Sequence, residues 1–211
     1  LGPPASPARR AWATAFGRLL AADVDELARL AEREVGKPAW EVVASEILPT
    51  VAACRWHARK AGRVLADRRL RDRPWWLLGQ RSRLRRVALG RVGIIATWNY
   101  PIQLLGVQLV QAVLGGNRVL VKPSERTPET QGRLLQLARA AGLDEHELEI
   151  RPAARDAGAR LRSDANRGGA RRAASQLAAT VEPKLAPSET RPPSRSGKRG
   201  RSTSHREGSM T

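Results

Sequence analysis

The 211-residue chain has one cysteine, Cys54, so an intrachain disulfide and a cysteine-based zinc site are both excluded. That scarcity suits a reducing compartment, and a cytoplasmic location is expected. No apolar run reaches the ~18 residues that mark a membrane-spanning helix. No basic segment followed by an apolar core opens the chain, so no secretory leader is predicted. His57, His146 and His205 stand apart from one another, without metal-ligand spacing, and no metal site is predicted. Aromatic residues make up 4% of the chain, and most of them are Trp. Acidic residues are outnumbered, 20 Asp and Glu against 38 Lys and Arg, for a formal net charge of +18. Such a balance raises the possibility of an acidic partner. The excess is carried by both parts of the chain, +11 for residues 1–161 and +7 for 162–211.

What is present is ordered by periodicity. Trp12, Phe16, Leu19 and Leu20, then Leu27, Leu30, Ala31 and Val35, recur at helical spacing across residues 8–35. Asp23 and Glu26 form a capping-box pattern that predicts a fresh helix start, and Gly36 and Pro38 end the stretch. A further helix is predicted over 39–61, with Trp40, Val43, Ile47, Val51 and Cys54 on its apolar face and Gly62 as its stop. Between Arg68 and Arg91 lie nine arginines and one acid around Trp75 and Trp76, with partial alternation over 84–89 that suggests an exposed strand or hairpin arm. Val92 to Ala96 is an apolar run of the kind buried in a parallel sheet. It is followed by a helix over 101–114, a turn at Gly115-Gly116-Asn117, and a second strand at Val119 to Val121. A helix capped by Thr127 and opened by Pro128 follows, and then a third strand at Leu148 to Ile150. The order β-α-β-α-β predicts an α/β fold with a parallel, doubly wound sheet preceded by helices.

Four short segments carry more than periodicity. Gly93 to Pro101 ends in Trp98-Asn99-Tyr100-Pro101, and Lys122-Pro123-Ser124-Glu125 follows the second predicted strand. Gly116-Asn117 precedes that strand, and Glu34-Val35-Gly36-Lys37-Pro38 lies upstream. In this order and spacing they resemble the W-N-[FY]-P, K-P-S-E, G-N and E-x-G-K-P signatures of the aldehyde dehydrogenase superfamily, over about residues 10–161. The resemblance implies an incomplete Rossmann-like dinucleotide-binding sheet. The implied chemistry is NAD(P)-dependent oxidation of a small aldehyde to a carboxylic acid through a cysteine thioester, in an enzyme that forms homo- or hetero-oligomers.

By the same resemblance, Asn99 is the amide donor of the oxyanion hole, where losing one preorganised donor costs about 3–4 kcal/mol of transition-state stabilisation. Taken without Trp98 and Pro101, an Asn at a strand end reads more readily as a turn residue. Ile95, Ala96, Thr97, Trp98, Lys122, Ser124 and Glu125 are implied cofactor contacts, with Lys122 and Glu125 holding the adenosine ribose hydroxyls. As residues alone, the pair is also a solvated helix entry, with Glu125 favoured near a helix N-terminus. A carboxylate beside the ribose 2′-hydroxyl repels a 2′-phosphate, so NAD is expected over NADP. Trp98 reads as a wall of the cofactor channel or as plain packing.

Other family segments are absent from the sequence: the F-T-G-S loop whose helix receives the pyrophosphate, the E-L-G-G general base and the G-Q-x-C nucleophile. Cys54 lies on an apolar helix face and reads as a small buried hydrophobe. The chain opens with Leu1, and after about Leu161 apolar periodicity gives way to Arg/Ser/Pro/Gly-rich text, as a frameshift would produce. The expected division is a helical segment 1–63, a partial cofactor-binding domain 64–161 and a disordered basic tail 162–211. Such a truncated family member is expected to be inactive alone and to bind NAD weakly. The alternative class is a nucleic-acid-binding protein or a non-catalytic partner, using the Arg68–Arg91 stretch with Trp75 and Trp76, and the tail.

Overall fold

A computed structural model of the chain describes residues 2–70 and 82–154. The helices are α1 (Pro7–Ala22), α2 (Val24–Val35), α3 (Ala39–Val42), α4 (Leu48–Val64), α5 (Gln103–Leu114) and α6 (Pro128–Ala140), with a π-helical turn at Val43–Ile47 joining α3 to α4. The strands are β1 (Arg68–Leu70), β2 (Ser82–Leu84), β3 (Arg91–Ile95), β4 (Arg118–Lys122) and β5 (Leu148–Ile150). β1 and β2 pair antiparallel, but the strand expected over 84–89 does not form: β2 ends at Leu84 and residues 85–89 carry no strand. Trp75 and Trp76, and the whole segment from residue 155 onward, including the expected tail and the break near Leu161, lie outside the described residues.

β3, β4 and β5 form a parallel sheet in sequential order. Right-handed crossovers that step in one direction place α5 and α6 on the same face. Among the described residues the sheet is therefore wound one way, and no strand lies beyond β3 to reverse it. The burial of β3 follows from this: Val92 and Ile94 face the helices and are buried, while Gly93 and Ile95 point to the other face and are exposed. One apolar cluster runs from Phe16 and Leu20 of α1 through Cys54 of α4 to Leu105, Leu109, Leu134 and Leu148. Helical segment and sheet thus share one core. Each fully buried Leu or Phe in it contributes about 2 kcal/mol of transfer free energy.

Local expectations failed where a tertiary partner intervened. No capping box forms at Asp23, because its carboxylate accepts a bidentate pair from Arg133 of α6, at 2.8 and 2.5 Å, while Glu26 pairs with Arg29. Thr127 occupies the N-cap of α6, yet its buried Oγ1 has no partner among the described residues. The cap comes from Glu34 of α2, whose carboxylate accepts from the N–H groups of Glu129 (2.8 Å) and Thr130 (2.9 Å) and from the Thr130 hydroxyl (2.6 Å). Helix α4 runs through Gly62 to Val64, and α5 begins at Gln103, with Pro101 in the preceding turn. The π turn shifts the apolar phase: the buried positions run Val42, Ile47, Val51, Cys54, Ala58 and Ala61, and Trp40 is left 72% exposed. An inserted residue rotates the preceding turn by about 100° relative to an unbroken helix. The predicted face was therefore right after the turn and wrong before it.

Candidate functional site

Parallel pairing sets Ile95 of β3 opposite Lys122 of β4, and the Ala96 N–H continues the ladder to the Lys122 carbonyl at 3.0 Å. The two loops that follow, 96–102 and 123–127, thus leave the sheet side by side at the carboxyl ends of the strands. In open α/β sheets that edge is where ligands bind. Every residue the sequence marked as a site candidate lies here.

Lys122 is buried, 4% exposed, and its ammonium donates to the Glu125 carboxylate at 2.8 Å. Glu125 keeps 39% of its side chain exposed, so the pair opens outward on its acidic side. Across from it, the Trp98 ring lies beneath the Arg126 guanidinium, 3.7 Å from the ring centroid, and is 40% exposed. Asn99 is exposed, and its side chain makes no hydrogen bond among the described residues. Ile95 is exposed and Ala96 half-buried. Ser124 is buried, its hydroxyl accepting from the Arg126 N–H at 3.2 Å, so its polar groups are committed to the turn.

Two residues that sequence reasoning passed over, Gln131 and Glu46, hold these loops. Gln131, fully buried in the first turn of α6, donates from Nε2 to the Thr97 carbonyl at 2.7 Å and accepts the Ser124 N–H at 2.7 Å. Glu46, fully buried in the π turn, accepts from the Ile102 N–H (2.9 Å) and from Lys37 Nζ (2.9 Å). It thereby satisfies the amide that opens the turn into α5. Lys37 in turn sits over the Tyr100 ring, 3.5 Å from the centroid. The Glu34-to-Pro38 motif thus serves position more than contact: Glu34 fixes α6, and Lys37 fixes both Tyr100 and Glu46. A Glu beside the predicted apolar face, next to Ile47, was the only sequence signal for this, and a Gln in a polar helix start gave none.

At the opposite edge Asn117 fastens the strand starts. Its Oδ1 accepts from Leu89 N (2.7 Å) and Gly90 N (3.1 Å), and its Nδ2 donates to the Ala112 carbonyl (3.0 Å). Gly116 before it has φ 86°, a conformation that costs glycine little. Cys54 is fully buried against Gly17, and burial pushes its thiol up to about 12. A thiol held protonated at neutral pH is a poor nucleophile, in keeping with the packing role read from the sequence. Among the described residues no group of three or more His, Cys, Asp or Glu could hold a metal, and no helix is long and apolar enough to cross a membrane.

Comparison with known proteins bears on the whole described region. The profile of the aldehyde dehydrogenase family matches residues 5–167. N-succinylglutamate 5-semialdehyde dehydrogenase 1 of Caulobacter vibrioides is 35% identical over 150 residues, covering 67% of this chain and 29% of that protein. The NADP/NAD-dependent aldehyde dehydrogenase PuuC of Escherichia coli is 31% identical over 146 residues, covering 69% of this chain and 28% of its own length. Among solved structures, P. syringae AldA, an indole-3-acetaldehyde dehydrogenase in complex with NAD+ and IAA, superposes with TM-score 0.62 at 32% identity, covering 70% of this chain and 29% of that one. The aldehyde dehydrogenase KauB from Pseudomonas aeruginosa gives TM-score 0.62 at 29% identity, with the same coverage. The chain therefore spans under a third of the length of these relatives. Motifs, strand order and profile agree, and the chain belongs to the aldehyde dehydrogenase family.

Proposed function

We propose that this chain carries the ribose-holding pair and the oxyanion donor of an NAD-dependent oxidoreductase acting on a small aldehyde. The observation that carries the reading is the register Ile95 to Lys122, which sets the Asn99 loop beside the Lys122–Glu125 pair on one sheet edge. A buried ammonium beside a half-exposed carboxylate fits a ribose diol, one group donating and the other accepting. The carboxylate disfavours a 2′-phosphate, which supports NAD over NADP. Asn99, exposed and uncommitted among the described residues, is the amide available to an oxyanion. Ile95, Ala96, Thr97 and Trp98 line the approach, and Ser124 shapes the turn that presents Glu125. NAD, when bound, accepts hydride; the chain's own residues bind and orient.

Turnover also requires a thiolate, which Cys54 does not supply, so this chain alone is proposed to be inactive on aldehydes. The exposed face of β3 at Gly93 and Ile95 supports association with further polypeptide, a second copy or a longer homologue. The division at residues 64 and 161, and a cytoplasmic location, belong to the same proposal. Calorimetry with NAD on the 211-residue chain tests it: binding no tighter than millimolar is expected, abolished by Lys122→Met together with Glu125→Gln. Heat effects that survive the double substitution overturn the assignment of the ribose pair.

A further inference from the structure

We propose that Gln131 is a positioning residue that couples the two loops of the site, so that a ligand held at Lys122 and Glu125 also orders the loop carrying Asn99. The identity of that ligand rests on the reading above; the coupling rests on geometry alone. The backbone ladder between β3 and β4 ends where the Ala96 N–H meets the Lys122 carbonyl. Beyond that point no backbone hydrogen bond joins the two loops among the described residues. The Gln131 amide supplies the next rung from a third element. Its Nε2 holds the carbonyl of Thr97, two residues before Asn99, and its Oε1 holds the N–H of Ser124, the residue before Glu125, both at 2.7 Å.

Three further points favour coupling over simple support of α6. Gln131 is fully buried, so neither amide group has water as a substitute partner. Leaving such groups unpaired carries the full desolvation penalty, about 1–3 kcal/mol each. The start of α6 does not need this side chain, because Glu34 already caps it and the Gln131 N–H bonds to the Thr127 carbonyl. Finally, another tie between the loops, Arg126 over Trp98, lies at the surface, where such contacts contribute about 0.5–1 kcal/mol. A rigid planar amide that donates from one end and accepts at the other fixes distance as well as attraction.

Residue-resolved amide hydrogen exchange of the full chain tests this, free and with millimolar adenosine 5′-monophosphate, which carries the ribose and no nicotinamide. Gln131→Met keeps the volume and removes both hydrogen bonds. In the free variant, the amides of Ala96 and Ser124, which are hydrogen-bonded at and beside the Gln131 rung, are expected to exchange about tenfold faster, with those of Leu109 and Leu134 unchanged. In the wild-type chain the nucleotide slows exchange at Trp98 and Asn99 as well as at Glu125; in the variant it slows exchange at Glu125 only. Equal protection of Trp98 and Asn99 in both proteins overturns the coupling, as does unchanged exchange in the free variant. If the wild-type chain does not respond to the nucleotide at all, the ribose reading fails, and the free-chain comparison decides the coupling by itself. Should Gln131→Met not fold, Gln131→Asn retains the amide but is one methylene too short to reach both loops. It is expected to release one loop and hold the other, and undisturbed protection of both overturns the proposal.

Discussion

The two ends of the parallel sheet are fastened differently. At the amino end a single residue of the β4 entry turn, Asn117, closes the gap to Leu89 and Gly90 while bonding back to Ala112 just before it. At the carboxyl end the fastening comes from side chains distant in sequence: Glu46 from the π turn reaches Ile102, Gln131 from α6 reaches Thr97, and Glu34 from α2 holds α6 in place. The amino end also draws one distant side chain, Arg9 of α1, which donates to the Val113 carbonyl at 2.7 Å, but it has the single task of joining the strand starts to α5. On the proposed reading the carboxyl end keeps two loops open toward a ligand, and their polar backbone is satisfied from behind by buried carboxylates and amides. Support is thereby largely separated from contact: Glu46 and Gln131, which hold the loops, are fully buried, Asn99 and Trp98 are exposed, and the buried Lys122 reaches the surface only beside the part-exposed Glu125.

That contrast breaks most readily at Glu46. Glu46→Ala leaves a half-buried ammonium and the Ile102 N–H without their acceptor, and a loss of about 3–5 kcal/mol in chemical denaturation is expected. A loss below about 1 kcal/mol would show that water replaces the carboxylate and that the carboxyl end is not held from the π turn. At the amino end, Asn117→Ala strands two N–H groups in part-buried surroundings, the Ala112 carbonyl keeping the backbone N–H of residue 117, and a smaller loss, about 2 kcal/mol, is expected in the same measurement. Glu34→Ala removes the α6 cap, for about 1–2 kcal/mol.

The core between the two ends has its own signature in pH. Burial raises the Cys54 thiol from its ordinary value of 9.0 to about 12. Above pH 9 the unfolded chain releases a proton that the folded chain retains. Stability is therefore full below pH 9 and falls as pH rises toward 12, by up to about 1.4 kcal/mol per unit. Denaturation at pH 8 and pH 10 should show this slope in the wild-type chain and lose it in Cys54→Ala; a slope that persists in the variant assigns it to other groups. The smallest effect is expected at Asn99. Being exposed and without a hydrogen bond among the described residues, Asn99→Ala should change stability by less than about 0.5 kcal/mol. A large loss there would make it a structural turn residue and remove it from the site.

The legible part of the fold was the part specified by short-range rules. Pro128 opened α6, Gly36 ended α2 in the left-handed conformation, and the apolar runs at Val92 and Val119 became neighbouring parallel strands. The candidate contacts at Asn99, Lys122 and Glu125 were legible because they fall within contiguous motifs at strand ends. Their supports were not. Glu46 stood out by no motif, and the π turn that buries it shifted the phase and put Trp40 on the surface. Asp23 and Thr127 met the rules for caps, yet Asp23 was taken by Arg133, and the work assigned to Thr127 was done by Glu34. A capping preference amounts to about 1 kcal/mol, and a long-range bidentate ion pair or buried carboxylate outweighs it.

By itself the sequence determined the order of elements, the parallel sheet and the family, because spacing and propensity act between neighbours along the chain. Only the tertiary structure decided which buried polar side chain serves which loop. A buried carboxylate or amide must find its partners wherever packing brings them, and for Glu46, Gln131 and Glu34 those partners lie in another element of the fold.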